Sequence, residues 1–333
     1  MRIGLIGTGR IGAFHASTLA ALPAVDALVL HDPDARSARA VANRVGGECA
    51  DSLGALLDAG LDGMVIAAPT GSHAELITAA HGAGLPTFCE KPVASTLEET
   101  DRVLSALRGS DVPLQIGFQR RFDAGYRSAR EAVASGRLGW THTLRACTSD
   151  PAPPHPGYIP GSGGIFRDCS VHDYDIVRWV TGREITEVYA TGANRGEAFF
   201  AEAQDVDTAV SVLTLDDGTL ATCTASRYNG AGYDVRLEVC GSAGTLVAGL
   251  TEQAPLASAE GAAFPAGSPY PGFMERFRDA YRAELTAFTE VVAGTRPSPC
   301  TGEDARAALA VAESATRSRA EGRPVPVPAP AHV

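Results

Sequence analysis

Six residues near the start of the chain, Gly7-Thr8-Gly9-Arg10-Ile11-Gly12, constrain the possible fold more than any other segment. They follow the short apolar run Arg2-Ile3-Gly4-Leu5-Ile6, and Ile11, Phe14, Thr18 and Leu22 then recur at helical spacing. A strand, a glycine-rich turn and a helix in this order allow a tight turn, close approach of a pyrophosphate to backbone N–H groups, and packing of helix on strand. Gly7, Gly9, Arg10, Ile11 and Gly12 are therefore candidate cofactor-binding residues. A second strand over 25–30 ends at His31-Asp32, which places Asp32 20 residues after Gly12. An acid there can bind the adenosine ribose hydroxyls and repel a 2′-phosphate, so the spacing predicts NAD in preference to NADP. An N-cap for the helix after Pro33 is the other use for that carboxylate.

Strand and helix signals go on alternating: a strand over 63–68, a helix over 74–83, a strand over 86–89, a helix over 97–107 and a last strand over 112–116. Such alternation predicts a doubly wound parallel sheet, a Rossmann domain covering residues 1–118. Ligands of these sheets bind beyond the carboxyl ends of the strands. Ala68, Pro69 and Thr70, with His73 following, occupy one such end. Glu90-Lys91-Pro92 occupies another and directs Lys91 toward the cofactor crevice.

Beyond residue 118 the pattern changes, which predicts a second, α+β domain over 119–333. A helix ends near Gly136, a strand follows over 140–148, and 150–158 carries four prolines in nine residues and reads as a loop over the site. Strands over 185–191, 206–215, 219–227 and 233–241 alternate with period two and predict a largely antiparallel open sheet. Asp207, Ala209, Ser211, Thr222 and Thr224 are expected on its polar, small-residue face, available to water or to another subunit. The stretch 251–272 reads as a loop, 273–293 and 303–319 as helices, and 324–330 as an extended or disordered tail.

Between loop and sheet stands Asp168-Cys169-Ser170-Val171-His172-Asp173-Tyr174-Asp175, expected to form one helix with 176–180. Ile165, Cys169, Ile176 and Val180 make an apolar stripe on it, and Asp168, His172, Asp175 and Trp179 an adjoining strip. A carboxylate one turn before an imidazole can orient it and stabilise its protonated form, although a structural helix histidine beside a solvated acid fits the same spacing.

Composition excludes several classes. A net charge of −11 argues against nucleic acid or an anionic membrane as partner. No apolar run approaches the roughly 18 residues of a membrane span. The glycines of the first dozen residues interrupt any signal-peptide core, and the seven cysteines form no CxxC pair. A cytoplasmic protein without metal or disulfides is expected.

Taken together, Gly7 to Gly12, Ala68-Pro69-Thr70 with His73, Glu90-Lys91-Pro92, and Gly163-Gly164 through Asp175 resemble the Gfo/Idh/MocA oxidoreductases, most of all their inositol 2-dehydrogenase branch. The resemblance implies an NAD-dependent dehydrogenase acting on a secondary hydroxyl of a cyclic polyol or sugar. His172 would be the general base, Lys91 the group that stabilises the reacting oxygen, and Asp168 the residue that orients His172 or holds a neighbouring hydroxyl. Arg121, His155 and Tyr233 would contact the remaining hydroxyls. It also implies a cis Lys91–Pro92 bond and a homotetramer assembled through the second domain's sheet. Oxidation of an aldose, an amino-inositol or keto-sugar step, and a non-catalytic NAD-sensing regulator are the alternatives.

Overall fold

The computed structural model describes residues 1–261 and 267–329, so part of the expected 251–272 loop and the end of the tail lie outside the described residues. The chain forms two compact units, Met1–Gln119 with Asp279–Arg306, and Arg120–Arg278 with Ala307–Val333.

The first unit is built on β1 (Arg2–Ile6), β2 (Ala27–His31), β3 (Glu48–Cys49), β4 (Gly63–Ile66), β5 (Thr87–Glu90) and β6 (Leu114–Gly117). They form one sheet in the order β3-β2-β1-β4-β5-β6, with every pairing parallel. Ile3, Leu5, Leu30, Val65 and Phe88 are fully buried, as near-continuous apolar strands covered on both faces must be. Helices α1 (Arg10–Ala20), α2 (Ala35–Val45), α3 (Leu53–Leu57), α4 (His73–Gly82) and α5 (Leu97–Leu107) are the crossovers. Thr96 caps α5 by accepting from Glu99 N, while Ser95 N donates to the Glu99 carboxylate.

The second unit contains α6 (Ala124–Ala134), β7 (Thr141–Ser149), α7 (Ile159–Ser162), α8 (Val171–Thr181), β8 (Ile185–Ala193), α9 (Phe199–Glu202), β9 (Thr208–Leu215), β10 (Leu220–Ser226), β11 (Asp234–Gly241), β12 (Gly244–Ala248), α10 (Phe273–Arg276) and β13 (Val325–Pro326). Its seven-stranded sheet runs β12-β11-β7-β10-β9-β8-β13. Only β7 and β10 pair in parallel; the other neighbours are antiparallel.

Four expectations need correction. Helix α11 (Arg278–Val292), expected in the second domain, belongs almost wholly to the first unit: Leu285 and Phe288 join the core of the parallel sheet, and Phe288 lies 5.9 Å from the Phe88 ring. An amphipathic helix shows which face is buried but not which core receives it. Helix α12 (Gly302–Glu321) begins in the first unit and continues in the second. The tail is extended where it begins, as one of the two expected readings has it: Val325 pairs with Val188 and Pro326 with Glu187. The expected single helix is broken in type: Phe166–Ser170 is a π-turn and only Val171–Thr181 is α-helical, which shifts Asp168 out of α-phase with His172. The apolar stripe itself is present, with Ile165, Cys169, Ile176 and Val180 all buried.

The fourth correction concerns the faces of β9. Asp207, Ala209 and Ser211 are buried, whereas Val210 and Val212 point outward, opposite Thr224 and Thr222 of β10. The inward polar groups have partners: Asp207 accepts from the backbone N–H of Arg195 and Gly196 at 2.7 Å each, and the Ser211 hydroxyl is 2.7 Å from that of Tyr174. Satisfied hydrogen bonds make polar burial tolerable, so the apolar valines are left outside.

Candidate active site

In the first unit the three glycines divide the work of the turn. Gly7 has φ +90°, and a Cβ there would lie 2.6 Å from the Ala67 backbone. A Cβ on Gly12 would lie 1.9 Å from the Gly7 carbonyl oxygen, whereas one on Gly9 would meet nothing within 4 Å. Gly7 and Gly12 are thus required by the protein itself, and Gly9 leaves one side of the loop open. No side chain caps α1, so Arg10, Ile11 and Gly12 present its N-terminus there.

Asp32 fastens this loop. Its Oδ2 accepts from Thr8 N at 2.7 Å and Thr8 Oγ1 at 3.0 Å, and its Oδ1 accepts from Asp34 N at 2.8 Å. Asp34, not Asp32, caps α2 by accepting from Arg36 N, so the alternative use of Asp32 falls away. A cavity of about 80 Å³ opens beside Asp32, lined also by His31, Pro33, Arg39 and Cys49. An open glycine face, an uncapped helix N-terminus and a carboxylate beyond β2 fit a dinucleotide.

Two further strand ends complete this half. Ala68, Pro69 and Thr70 follow β4, with Pro69 exposed and a 3₁₀ turn starting at Thr70. His73, expected to meet the cofactor, is buried instead, with Nε2 2.9 Å from the Ala68 carbonyl and Nδ1 2.7 Å from that of Pro92. Both ring nitrogens are engaged, so it ties the β4 turn to the β5 turn. At the latter, Lys91 is half-buried and the Lys91–Pro92 bond is cis, as the resemblance implied. Glu90 Oε1 lies 2.6 Å from Nε2 of the fully buried His15 on α1. His15 was missed by sequence reasoning; its only signal is a position on the buried side of α1, beside Ala16 and Leu19.

In the second unit Asp168 is held by residues far away in sequence. Arg227 Nη2 lies 2.7 Å from its Oδ2, and the Tyr158 hydroxyl donates to its Oδ1 at 2.9 Å. The same guanidinium reaches Asp150 Oδ2 at 3.1 Å through Nη1. Burial works against the Arg227 charge, but Cys169 and Asp168 beside it outweigh that and hold it above the ordinary arginine range. Burial and the Asp168 charge push the Tyr158 phenol up, so it remains an O–H donor. His172, half-buried, is the second residue of α8, and Asp168 lies within the π-turn that precedes that helix.

Under α8 lie two buried ion pairs. Arg120 Nη1 is 2.5 Å from Asp173 Oδ1, and Thr148 donates to the same carboxylate. Arg121, expected to contact substrate, gives Nε and Nη2 to the two oxygens of Asp175 at 2.9 and 2.5 Å. That bidentate pair accounts for its burial without a ligand. Tyr233 is buried just before β11, where burial raises its phenol and Arg120 partly offsets the rise. His155 is exposed and accepts from Gly157 N at 3.1 Å, capping its own turn. Arg227, Tyr158, Asp150 and Arg120 escaped sequence reasoning, since nothing in their spacing marks contacts made across 59 residues, as between Arg227 and Asp168.

A 3-2-1-4-5-6 parallel sheet with an open glycine turn and a carboxylate beyond β2 defines a dinucleotide-binding Rossmann domain. Residues 1–118 match the oxidoreductase family with an NAD-binding Rossmann fold, and residues 126–247 match the GFO/IDH/MocA C-terminal domain. The chain belongs to the GFO/IDH/MocA oxidoreductase family. It is 37% identical to the myo-inositol 2-dehydrogenase of Thermotoga maritima, over 93% of this chain and 93% of that one. The crystal structure of a myo-inositol dehydrogenase from Corynebacterium glutamicum matches with a TM-score of 0.90 at 35% identity, covering 99% of both chains. That of a scyllo-inositol dehydrogenase from Lactobacillus casei, with bound NAD(H) and scyllo-inositol, matches with a TM-score of 0.89 at 28% identity, covering 98% of this chain and 99% of that one.

Proposed function

We propose that this protein is an NAD-dependent dehydrogenase of a secondary hydroxyl on a cyclic polyol, an inositol 2-dehydrogenase in the first instance. The observation that carries the reading is likeness to inositol dehydrogenases along nearly the whole chain, in a sequence that has Lys91, Asp168 and His172 together. A regulator that only sensed the cofactor would have no need of that acid–base set.

The dinucleotide is held by the Gly9 face of the loop, the N-terminus of α1 and the Asp32 carboxylate. Bound NAD⁺ supplies the hydride acceptor. His172 accepts the hydroxyl proton as general base. Lys91 places positive charge at the oxygen where negative charge develops. Asp168, fixed by Arg227, orients His172 or a neighbouring hydroxyl. Tyr233 and His155 would meet the remaining hydroxyls, while Arg121 would act through Asp175.

We also infer a homotetramer formed through the outer face of the second unit's sheet. Tyr189, Val210 and Val212 are each about two-fifths exposed there and adjacent in register, an apolar patch that favours a second sheet over water. All seven cysteines are free thiols, which suits the cytoplasm, and no helix among the described residues is long and apolar enough to cross a membrane. The test is NADH formation over a panel of myo-inositol, scyllo-inositol, aldoses and amino-polyols. Turnover of an inositol is expected. Turnover of aldoses alone, or of nothing in the panel, would refute the reading.

A further inference from the structure

We propose that Arg227 and Tyr158 are positioning residues that fix the Asp168 carboxylate and fasten the proline-rich segment 150–158 to it at both ends. The inference deepens the reading above and rests on it for its kinetic consequence. The geometry is a four-residue chain, Asp150–Arg227–Asp168–Tyr158, whose links measure 3.1, 2.7 and 2.9 Å. Arg227 and Asp168 have side chains only 4% and 12% exposed, so each charge depends on the other for solvation.

The two ends of the chain are the two ends of the segment. Asp150 stands where β7 stops, with its N–H donating to the Ser226 carbonyl at 2.9 Å, one residue before Arg227. Tyr158 closes the 3₁₀ turn Pro156–Tyr158. Between them Pro151, Pro153, Pro154 and Pro156 restrict the backbone, so holding both ends holds the whole. Arg227 directly follows β10 and is buried, which makes it a rigid anchor. Tyr158 is 48% exposed, and its hydroxyl is the replaceable link. One carboxylate therefore serves two tasks: under the proposed function it orients His172 or a substrate hydroxyl, and it pins the segment beside it.

Tyr158→Phe tests the inference, because an exposed ring loses only its hydroxyl and the fold is not at risk. Two readouts are taken on the full chain: hydrogen exchange at the amides of Ala152, His155, Gly157 and Tyr158, and kcat and KM for the inositol with NADH affinity as control. Exchange in the segment is expected to rise, and kcat to fall about tenfold with NADH affinity unchanged, the range for one hydrogen bond to a charged group. Arg227→Gln should lower kcat further, and Arg227→Lys should recover part of the loss by restoring the charge. Unchanged exchange in Tyr158→Phe overturns the fastening. Unchanged kcat in an enzyme that turns over inositol overturns the positioning role. If the wild-type protein oxidised no polyol, the functional reading would fail while the exchange measurement still decided the fastening.

Discussion

Asp32 accepts hydrogen bonds from both the backbone N–H and the hydroxyl of Thr8, 24 residues earlier, so the carboxylate beyond β2 is bound to the glycine turn after β1. The turn and the acid proposed to select the cofactor are one rigid piece. Asp32→Ala should weaken NAD⁺ binding and lower the kcat/KM preference for NAD⁺ over NADP⁺ about 10- to 100-fold, one opposed charge being worth roughly 1.4–2.8 kcal/mol at this range. Steady-state kinetics with both cofactors check it. An unchanged ratio would place the discrimination elsewhere.

The two glycines that flank Arg10 and Ile11 should respond oppositely to alanine. Gly12→Ala drives a methyl into the Gly7 carbonyl and should destabilise the protein by about 1–3 kcal/mol or more, read as a fall in Tm. Gly9 has φ −64° and open space, so Gly9→Ala should leave Tm near wild type. Its methyl would stand where the pyrophosphate approaches, and KM for NAD⁺ should rise about tenfold or more.

His172→Ala should lower kcat by roughly 10²–10⁴-fold, the contribution of a positioned general base, with NADH affinity near wild type. Lys91→Ala should cost a similar factor but alter the pH–rate profile differently, since it removes a charge and leaves the proton acceptor. Near-full activity in His172→Ala, with the same rise in rate through neutral pH, would transfer the base role to Lys91.

A hydrogen bond from Arg306 holds the Asp101 carboxyl below its usual range. A lowered carboxyl value favours the ionised folded state, so its contribution is complete above the ordinary range near 4 and is lost as pH falls through the folded value. Asp101 is 43% exposed, which limits the effect to under about 1 kcal/mol. Thermal melts of Asp101→Asn between about pH 5 and pH 3 should fall less steeply than wild type.

Val212→Asp places a charge in the middle of the outer sheet face, opposite Tyr189 and Thr222. The protomer should stay folded, because Val212 is 40% exposed. Light scattering should show dissociation at micromolar concentration. A wild-type monomer, or an unaffected oligomer in the variant, would remove that face as an interface.

Local pattern was enough to read the parallel sheet, the turn at Gly7 to Gly12, and the strand ends carrying Thr70 and Lys91. Each is a short-range consequence of period or glycine, complete within a few residues. The tertiary structure decided what period leaves open. Alternation gave β9 two faces but could not say that Asp207 and Ser211 turn inward, because that depends on hydrogen-bond partners at Arg195, Gly196 and Tyr174. The apolar side of α11 was visible, but its place against Phe88 is a contact between segments 200 residues apart. The same holds at the candidate site. Asp168 and His172 stand out in the sequence, whereas the π-turn that contains Asp168 and its pairing with Arg227, 59 residues away, are settled only by the tertiary structure. Buried charges must find partners wherever folding places them, and sequence separation carries no record of that requirement.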